Sequence, residues 1–337
     1  MRGGERSSPV LVGLAVAAMA AQGWLAAVFV GHWDAIPGIG GTAGRLLAGF
    51  AAAEHGFYDR PGQAELGLAA VNLVAGCGLA LALAWAWLRR AAAALPLALA
   101  LAATQCYAVV ILMWCGLLDG LPNLERSMAA ASLLLAVGGG WFALFLLLGW
   151  EAAARLWRAG RLGAPDGGRG SDRAVLVLTL CFVVAAFLVE LPWLLGSTEL
   201  ATIGGRFGAF WAVYGAADRG YFDRVSGFER GLESFHIFVT QWLQIWLIWA
   251  VLRRRPQRFL LMVAVGSYVA FSTAVYLAAK HVMGYPLMPE RTAGAMLLLY
   301  GANLPWLVGN AWIAWEGGRG LVAMMGTRRR DEREGTA

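Results

Sequence analysis

FERGLESFHIFVTQWLQIWLIWAVLRR, Phe228–Arg254, is apolar over a length sufficient to cross a bilayer, yet it carries a polar stripe. Glu229, Glu233, His236, Thr240 and Gln244 follow one another at intervals of four, three, four and four, which places them on one face of a helix among Phe, Leu, Ile and Trp. An ionisable side chain at the centre of a membrane helix costs roughly 2.5–3.5 kcal/mol on insertion scales. Such a stripe must therefore face protein or a polar cavity, and this helix is where function is expected.

Seven further stretches resemble this one in length and apolarity. Hydrophobic residues make up 59% of the 337, charged residues 14%, and mean hydropathy is +0.61, values foreign to a soluble domain. The sequence predicts an all-α integral membrane protein with eight spans: Val10–Val30, Glu65–Leu88, Ala91–Leu117, Ser127–Trp150, Ala174–Leu195, Glu229–Leu252, Phe259–Lys280 and Thr292–Trp315. Alternate loops hold the arginines: Arg2 and Arg6, Arg89 and Arg90, Arg155 to Arg173, Arg253 to Arg258, and Arg319 with Arg328–Arg330. The positive-inside rule then places both termini in the cytoplasm. The net charge of +6 is a signature of topology, and with no basic stripe interleaved with aromatics a nucleic-acid partner is not expected. A composition rich in Arg and Ala, with Lys280 the only lysine, points to a bacterial plasma membrane. The first span is too long for the core of a usual signal peptide and is expected to be retained.

The two halves of the chain look like copies. WAWLRR (Trp85–Arg90) returns as WAVLRR (Trp249–Arg254), displaced by 164 residues. FYDR (Phe57–Arg60) aligns with YFDR (Tyr221–Arg224), and Glu65, Gly67 and Leu68 align with Glu229, Gly231 and Leu232. Trp141, Trp150 and Glu151 match Trp306, Trp315 and Glu316 at 165. The expected organisation is a first four-helix repeat (1–153), a flexible basic linker (154–173), a second repeat (174–318) and a basic tail (319–337). Polar groups are unequally shared. Ala69, Asn72, Gly76 and Ala80 stand where the second half has Glu233, His236, Thr240 and Gln244, and Gln22 is the rough counterpart of Glu190. Any chemistry belongs to the second half.

Glu190, deep within VVAAFLVELPWLL, and Glu233 supply two carboxylates to one four-helix unit. Carboxylates lining one cavity repel each other, so the pair holds a shared proton, and a neutral acid beside a carboxylate can deliver a proton at one atom and take one from another. His236, on the face of Glu233, can orient or share that proton. Glu229 is expected at the interface, close to the positive end of the helix dipole. Asn303 and Trp306 share a face of the last span, where the indole can meet a developing cation. The four cysteines, Cys77, Cys106, Cys115 and Cys181, lack metal spacing and are expected to be small buried apolar residues. No phosphate loop, G-x-S-x-G or HExxH occurs, and neither metal nor cofactor is expected.

With these residues in place, the second half resembles the EXPERA superfamily, which includes the emopamil-binding sterol Δ8–Δ7 isomerases and a branch with two units in tandem. YGAADRGY (Tyr214–Tyr221) is similar to the family's Y-x-x-x-D-x-R-Y loop, and GLES (Gly231–Ser234) falls at its Met-Glu. LRRRPQRFLLMVAVGS (Leu252–Ser267) and the N-x-x-W of Asn303 and Trp306 follow in the family's order. Two features depart from it. The histidine that the isomerases place four residues before their first glutamate is Ala186 here, and Gln105 and Tyr107 in the first half are what remains of a third-helix motif. The resemblance implies a catalytic set of Glu190, Glu233 and His236. It implies substrate contacts from Asn303, Trp306, Trp193, Thr240, Tyr221 and Asp218. The expected partners are a sterol or other polycyclic or amphipathic lipid together with membrane lipids, and a homodimer is left open. A cofactor-independent double-bond shift, a non-catalytic lipid binder and a small transporter are the competing functions.

Overall fold

The computed structural model describes residues 8–32, 38–51, 62–118, 128–160 and 169–334, and among them every regular element is helical. In the first half these are α1 (Pro9–Gly31), α2 (Gly41–Ala51), α3 (Gln63–Val71), α4 (Cys77–Leu88), α5 (Ala94–Leu118) and α6 (Met128–Gly160). The second half contributes α7 (Arg169–Ala185), α8 (Leu191–Gly196), α9 (Gly205–Gly215), α10 (Gly227–Phe235), α11 (Gln241–Leu252), α12 (Gln257–Val282) and α13 (Ala293–Glu334). Wide π-turns join α3 to α4 (Asn72–Gly76), α7 to α8 (Ala186–Glu190) and α10 to α11 (His236–Thr240).

Among the described residues, seven stretches are long and apolar enough to cross a membrane: Pro9–Gly31, Gln63–Leu88, Ala94–Leu118, Leu135–Arg158, Ser171–Gly196, Gly227–Leu252 and Gln257–Val282. The protein is thus a multi-pass helical membrane protein. The eighth expected span lies in α13, a helix of 42 residues that is not among the seven. Its Tyr300, Asn303, Pro305 and Asn310 dilute the apolar run. The expected flexible linker is shorter than its composition suggests, since α6 continues through Gly160 and α7 begins at Arg169. The remainder of that linker, including Arg161, lies outside the described residues, as do Arg2, Arg6, Ser127, His55 and Phe57–Arg60.

Several elements recur at one displacement. α2 and α9, α3 and α10, the π-turns at Asn72 and His236, and α4 and α11 all begin 164 residues apart. The stops of α4 and α11 also agree. Arg90 and Arg254 take left-handed φ values of 57° and 50°, and Ala91 N and Arg255 N reach back to the carbonyls of Ala86 and Ala250 at 2.8 and 2.9 Å. This is a Schellman ending with arginine where glycine is usual.

The halves are laced together: α3 packs against α12, α10 against α5, and α5 touches α12 between them. Lipid offers no hydrophobic gain for such contacts, so close approach by small residues provides the attraction. A Cβ on Gly67 would stand 2.5 Å from Val275 O and 3.0 Å from Ala279 Cβ. On Gly231 it would stand 3.1 Å from Cys115 Cα. The cysteines differ from expectation. Cys115 is buried, Cys77 and Cys106 are partly so, and Cys181 is exposed on the outer face of α7, where a membrane span leaves half its surface to lipid.

Candidate functional site

The site is built where π-turns interrupt two helices. Pro192 has no N–H to give the preceding turn, and the backbone widens over Ala186–Glu190, bringing Glu190 to the end of that turn. On the facing helix, Ser226 and Glu229 form a capping box that starts α10. Ser226 Oγ accepts from Phe228 N at 3.2 Å and Glu229 Oε2 accepts from Ser226 N at 3.2 Å. Two turns later the second widening begins at His236.

Glu190, Glu233 and His236 meet there. One ligand atom from each lies within 4.8 Å of the other two. His236 Nδ1 is 2.8 Å from Glu190 Oε2, and its Nε2 is 2.9 Å from Gln241 Nε2. The amide nitrogen can only donate, so Nε2 accepts and the imidazole proton sits on Nδ1, directed at the Glu190 carboxylate. Tyr221 Oη donates to Glu233 Oε1 at 2.5 Å. These groups wall a cavity of about 70 Å³ with Asn303, Trp306, Tyr276, Ser272 and Thr273. That volume holds a water or two, or the edge of a larger molecule. The Glu190 and His236 side chains each keep 16% exposure, so the cavity is not sealed.

Trp306 stacks on Phe182 at 4.4 Å and meets the His236 ring edge-on at 4.8 Å. One indole face is therefore covered, and the ring braces the imidazole. Asn303 donates to Tyr214 Oη at 3.0 Å and to Leu299 O at 2.8 Å. Burial holds the Tyr214 phenol well above its usual range, and burial with Glu233 alongside does the same for Tyr221. Tyr221 thus remains a hydrogen-bond donor through the whole neutral range.

Three expected substrate contacts do not reach the cavity. Trp193 is fully buried, with its indole N–H on the Tyr221 carbonyl at 3.0 Å and its ring 4.9 Å from that of Tyr221, so it holds Tyr221 in place. Asp218 is consumed internally. It accepts from Gly220 N at 2.8 Å, Tyr276 Oη at 2.6 Å and Lys280 Nζ at 2.8 Å. Thr240 is buried but off the wall, because the π-turn adds a residue and shifts the phase of the stripe between His236 and Thr240. Glu229 stands in the first turn of α10, at the positive end of the helix dipole as expected, but not exposed. It is fully buried and pairs with Lys280 at 2.7 Å.

Sequence reasoning missed Tyr276, Ser272, Gln241 and Phe182. It also missed that Tyr107, from the first half, bonds Ser272 Oγ at 2.6 Å on the cavity wall. The sole lysine of the chain, in the last turn of α12, was the available signal for the Asp218–Lys280–Glu229 triad.

Comparison of the chain with protein-family models, with curated proteins and with solved structures finds no match.

Proposed function

We propose that the second half is a proton-transfer site that moves a ring double bond in a sterol or related polycyclic lipid, as the EXPERA resemblance implies. The observation that carries this reading is the convergence of two carboxylates and an imidazole at one cavity inside an apolar bundle. One carboxyl of the Glu190–Glu233 pair gives its proton to a ring alkene carbon, and the alkene's electron pair forms the new C–H bond. The resulting ring cation loses a proton from a neighbouring carbon to the other carboxylate, and that C–H pair becomes the new double bond. His236, bonded to Glu190, returns the proton between the two for the next turnover. It enters from a different helix and supplies the imidazole that Ala186 cannot. Because the cavity is small, the lipid inserts the edge of its ring system or parts the helices as it binds.

The matching displacements of elements support two tandem four-helix units with α13 supplying the eighth span, and the arginine-rich loops support both termini in the cytoplasm. A second reading has a specific basis: Glu190, Glu233 and His236 are also a set that could hold a divalent cation. Against it, both ring nitrogens already have partners.

The test is turnover of a Δ8 sterol by purified protein in D₂O, read by gas chromatography–mass spectrometry, with Glu233→Gln and Glu190→Gln alongside. A Δ7 product carrying one deuterium, lost in both variants, supports the isomerase. Saturable sterol binding without product moves the assignment to a lipid carrier. A stoichiometric metal lost on His236→Ala replaces it with the metal reading.

A further inference from the structure

A cavity larger than that of the candidate site opens in the first half, walled by α1, α3, α5 and α6. Its volume is about 430 Å³ and its lining is almost wholly apolar. Ligand cavities run from about 300 to 1,000 Å³. Its wall is the counterpart of the smaller one. Ala69, Asn72, Gln105, Leu112 and Trp141 stand where the second cavity has Glu233, His236, Val269, Tyr276 and Trp306, at the same displacement of 164 or 165. Gln22, on α1, takes the side that Glu190 occupies in the second half.

The polar groups on this wall form a built feature. Gln105 is fully buried and donates from Nε2 to Asn72 Oδ1 at 2.7 Å, leaving its own Oε1 without a partner; Gln22 Oε1 is likewise unpartnered. A Cβ on Gly76 would stand 2.7 Å from Asn72 Oδ1, so glycine leaves the amide pair its room. A buried acceptor without a donor is costly, and a ligand that brings one relieves it. The carboxylate on the wall, Glu65, already has a partner, so a cationic ligand gains no free counter-ion there. With Ala69 and Asn72 in place of a glutamate and a histidine, the wall lacks the paired carboxylates and imidazole of the second half.

We infer that the first half holds a second, non-catalytic binding site for a neutral lipid alcohol, its apolar body in the cavity and its hydroxyl on the Gln105–Asn72 pair. A hydroxyl both donates and accepts, and so satisfies an amide in either orientation. The alcohol could be a sterol or a long-chain alkanol.

The full chain in phosphatidylcholine nanodiscs is photolabelled with a diazirine analogue of cholesterol, and the adducts are mapped by mass spectrometry. Cholesterol, oleyl alcohol and 5α-cholestane serve as competitors. Adducts on the Trp24–Phe29 stretch and around Leu112 are expected. One or both alcohols compete about tenfold better than the hydrocarbon, the worth of one good hydrogen bond. Gln105→Leu abolishes that preference and Ala69→Phe abolishes the adducts, whereas Glu233→Gln alters neither, which keeps this result separate from the fate of the isomerase reading. Should Ala69→Phe fold poorly, the wild-type adduct map and Gln105→Leu decide. Adducts confined to the second half or spread over outward residues such as Leu81 and Trp85 overturn the inference. So does cholestane competing as well as both alcohols.

Discussion

The Nδ1 of His236 lies 2.8 Å from Glu190 Oε2, an imidazole from one helix meeting a carboxylate from another, each at a π-turn. The contact joins the two helices at the cavity and places a titratable ring between the two glutamates. Replacing the ring by a shape that keeps only the bond separates those roles. His236→Asn should retain fold and ligand affinity while lowering kcat by about 10²–10⁴, the usual worth of a positioned proton-transfer group. Equal binding and turnover in wild type and variant would show that His236 is merely a packed residue. The readouts are ligand dissociation constant and initial rate on the same preparation.

The Asp218–Lys280–Glu229 triad ties the loop before α10 to α12, and all three residues are buried. Lys280→Met leaves two carboxylates facing each other without a cation. Breaking a buried pair in this way costs about 3–5 kcal/mol. Thermal unfolding in detergent should show that loss. The triple change Asp218→Asn, Glu229→Gln, Lys280→Met should recover part of it, because no uncompensated charge is then left inside. A melting temperature unmoved by Lys280→Met would remove the triad from the stability of the fold.

Gly67 and Gly231 set how closely the halves approach. Gly67→Ala and Gly231→Ala each push a methyl group into backbone or Cβ atoms of the opposite half, and overpacking of this kind costs roughly 1–3 kcal/mol. Gly78, with open space around it, is the control and should tolerate alanine. Equal melting temperatures for the three variants would show that the halves are not held by close contact at these points.

Alkaline pH probes the loops outside the spans. Burial first, then the neighbouring Tyr300, pushes Tyr285 up to about 12, and burial raises Tyr214 and Tyr221 as well. The unfolded chain releases phenolic protons near its ordinary value of about 10. Between these points the folded state binds more protons than the unfolded state, so stability declines as pH rises. The contribution of these phenols should fall between about pH 10 and 12. Tyr285→Phe should reduce the slope, followed by absorbance of tyrosinate and by unfolding at stepped pH.

Sequence reasoning could reach the spans because twenty-residue apolar runs leave a chain few alternatives, and it could reach Glu190, Glu233 and His236 because ionisable groups inside such runs must be gathered. It could not reach the phase of the stripe beyond His236. A regular period of 3.6 carries Thr240 to the same face, and only the π-turn, a local departure that no spacing announces, removes it. Trp193 and Asp218 show the same limit. Each has the chemistry of a ligand contact, but contact depends on what else is near, and Tyr221, Tyr276 and Lys280 had already engaged them.

The amino-acid sequence by itself determined that this is a helical membrane protein, that its segments echo one another across 164 residues, and that the cluster of two glutamates and a histidine within its spans belongs to the second half. Each of these is a property of composition and order along the chain. Tertiary structure alone decided that α3 lies on α12 and α10 on α5, that the two glutamates and His236 meet at a cavity of about 70 Å³, and that about 430 Å³ stands open in the first half. Volumes and distances between separate helices arise from how side chains of unequal size fill a shared interior. The 164-residue alignment records that Ala69 and Asn72 stand for Glu233 and His236, but not that one cavity holds about 430 Å³ and its counterpart about 70 Å³.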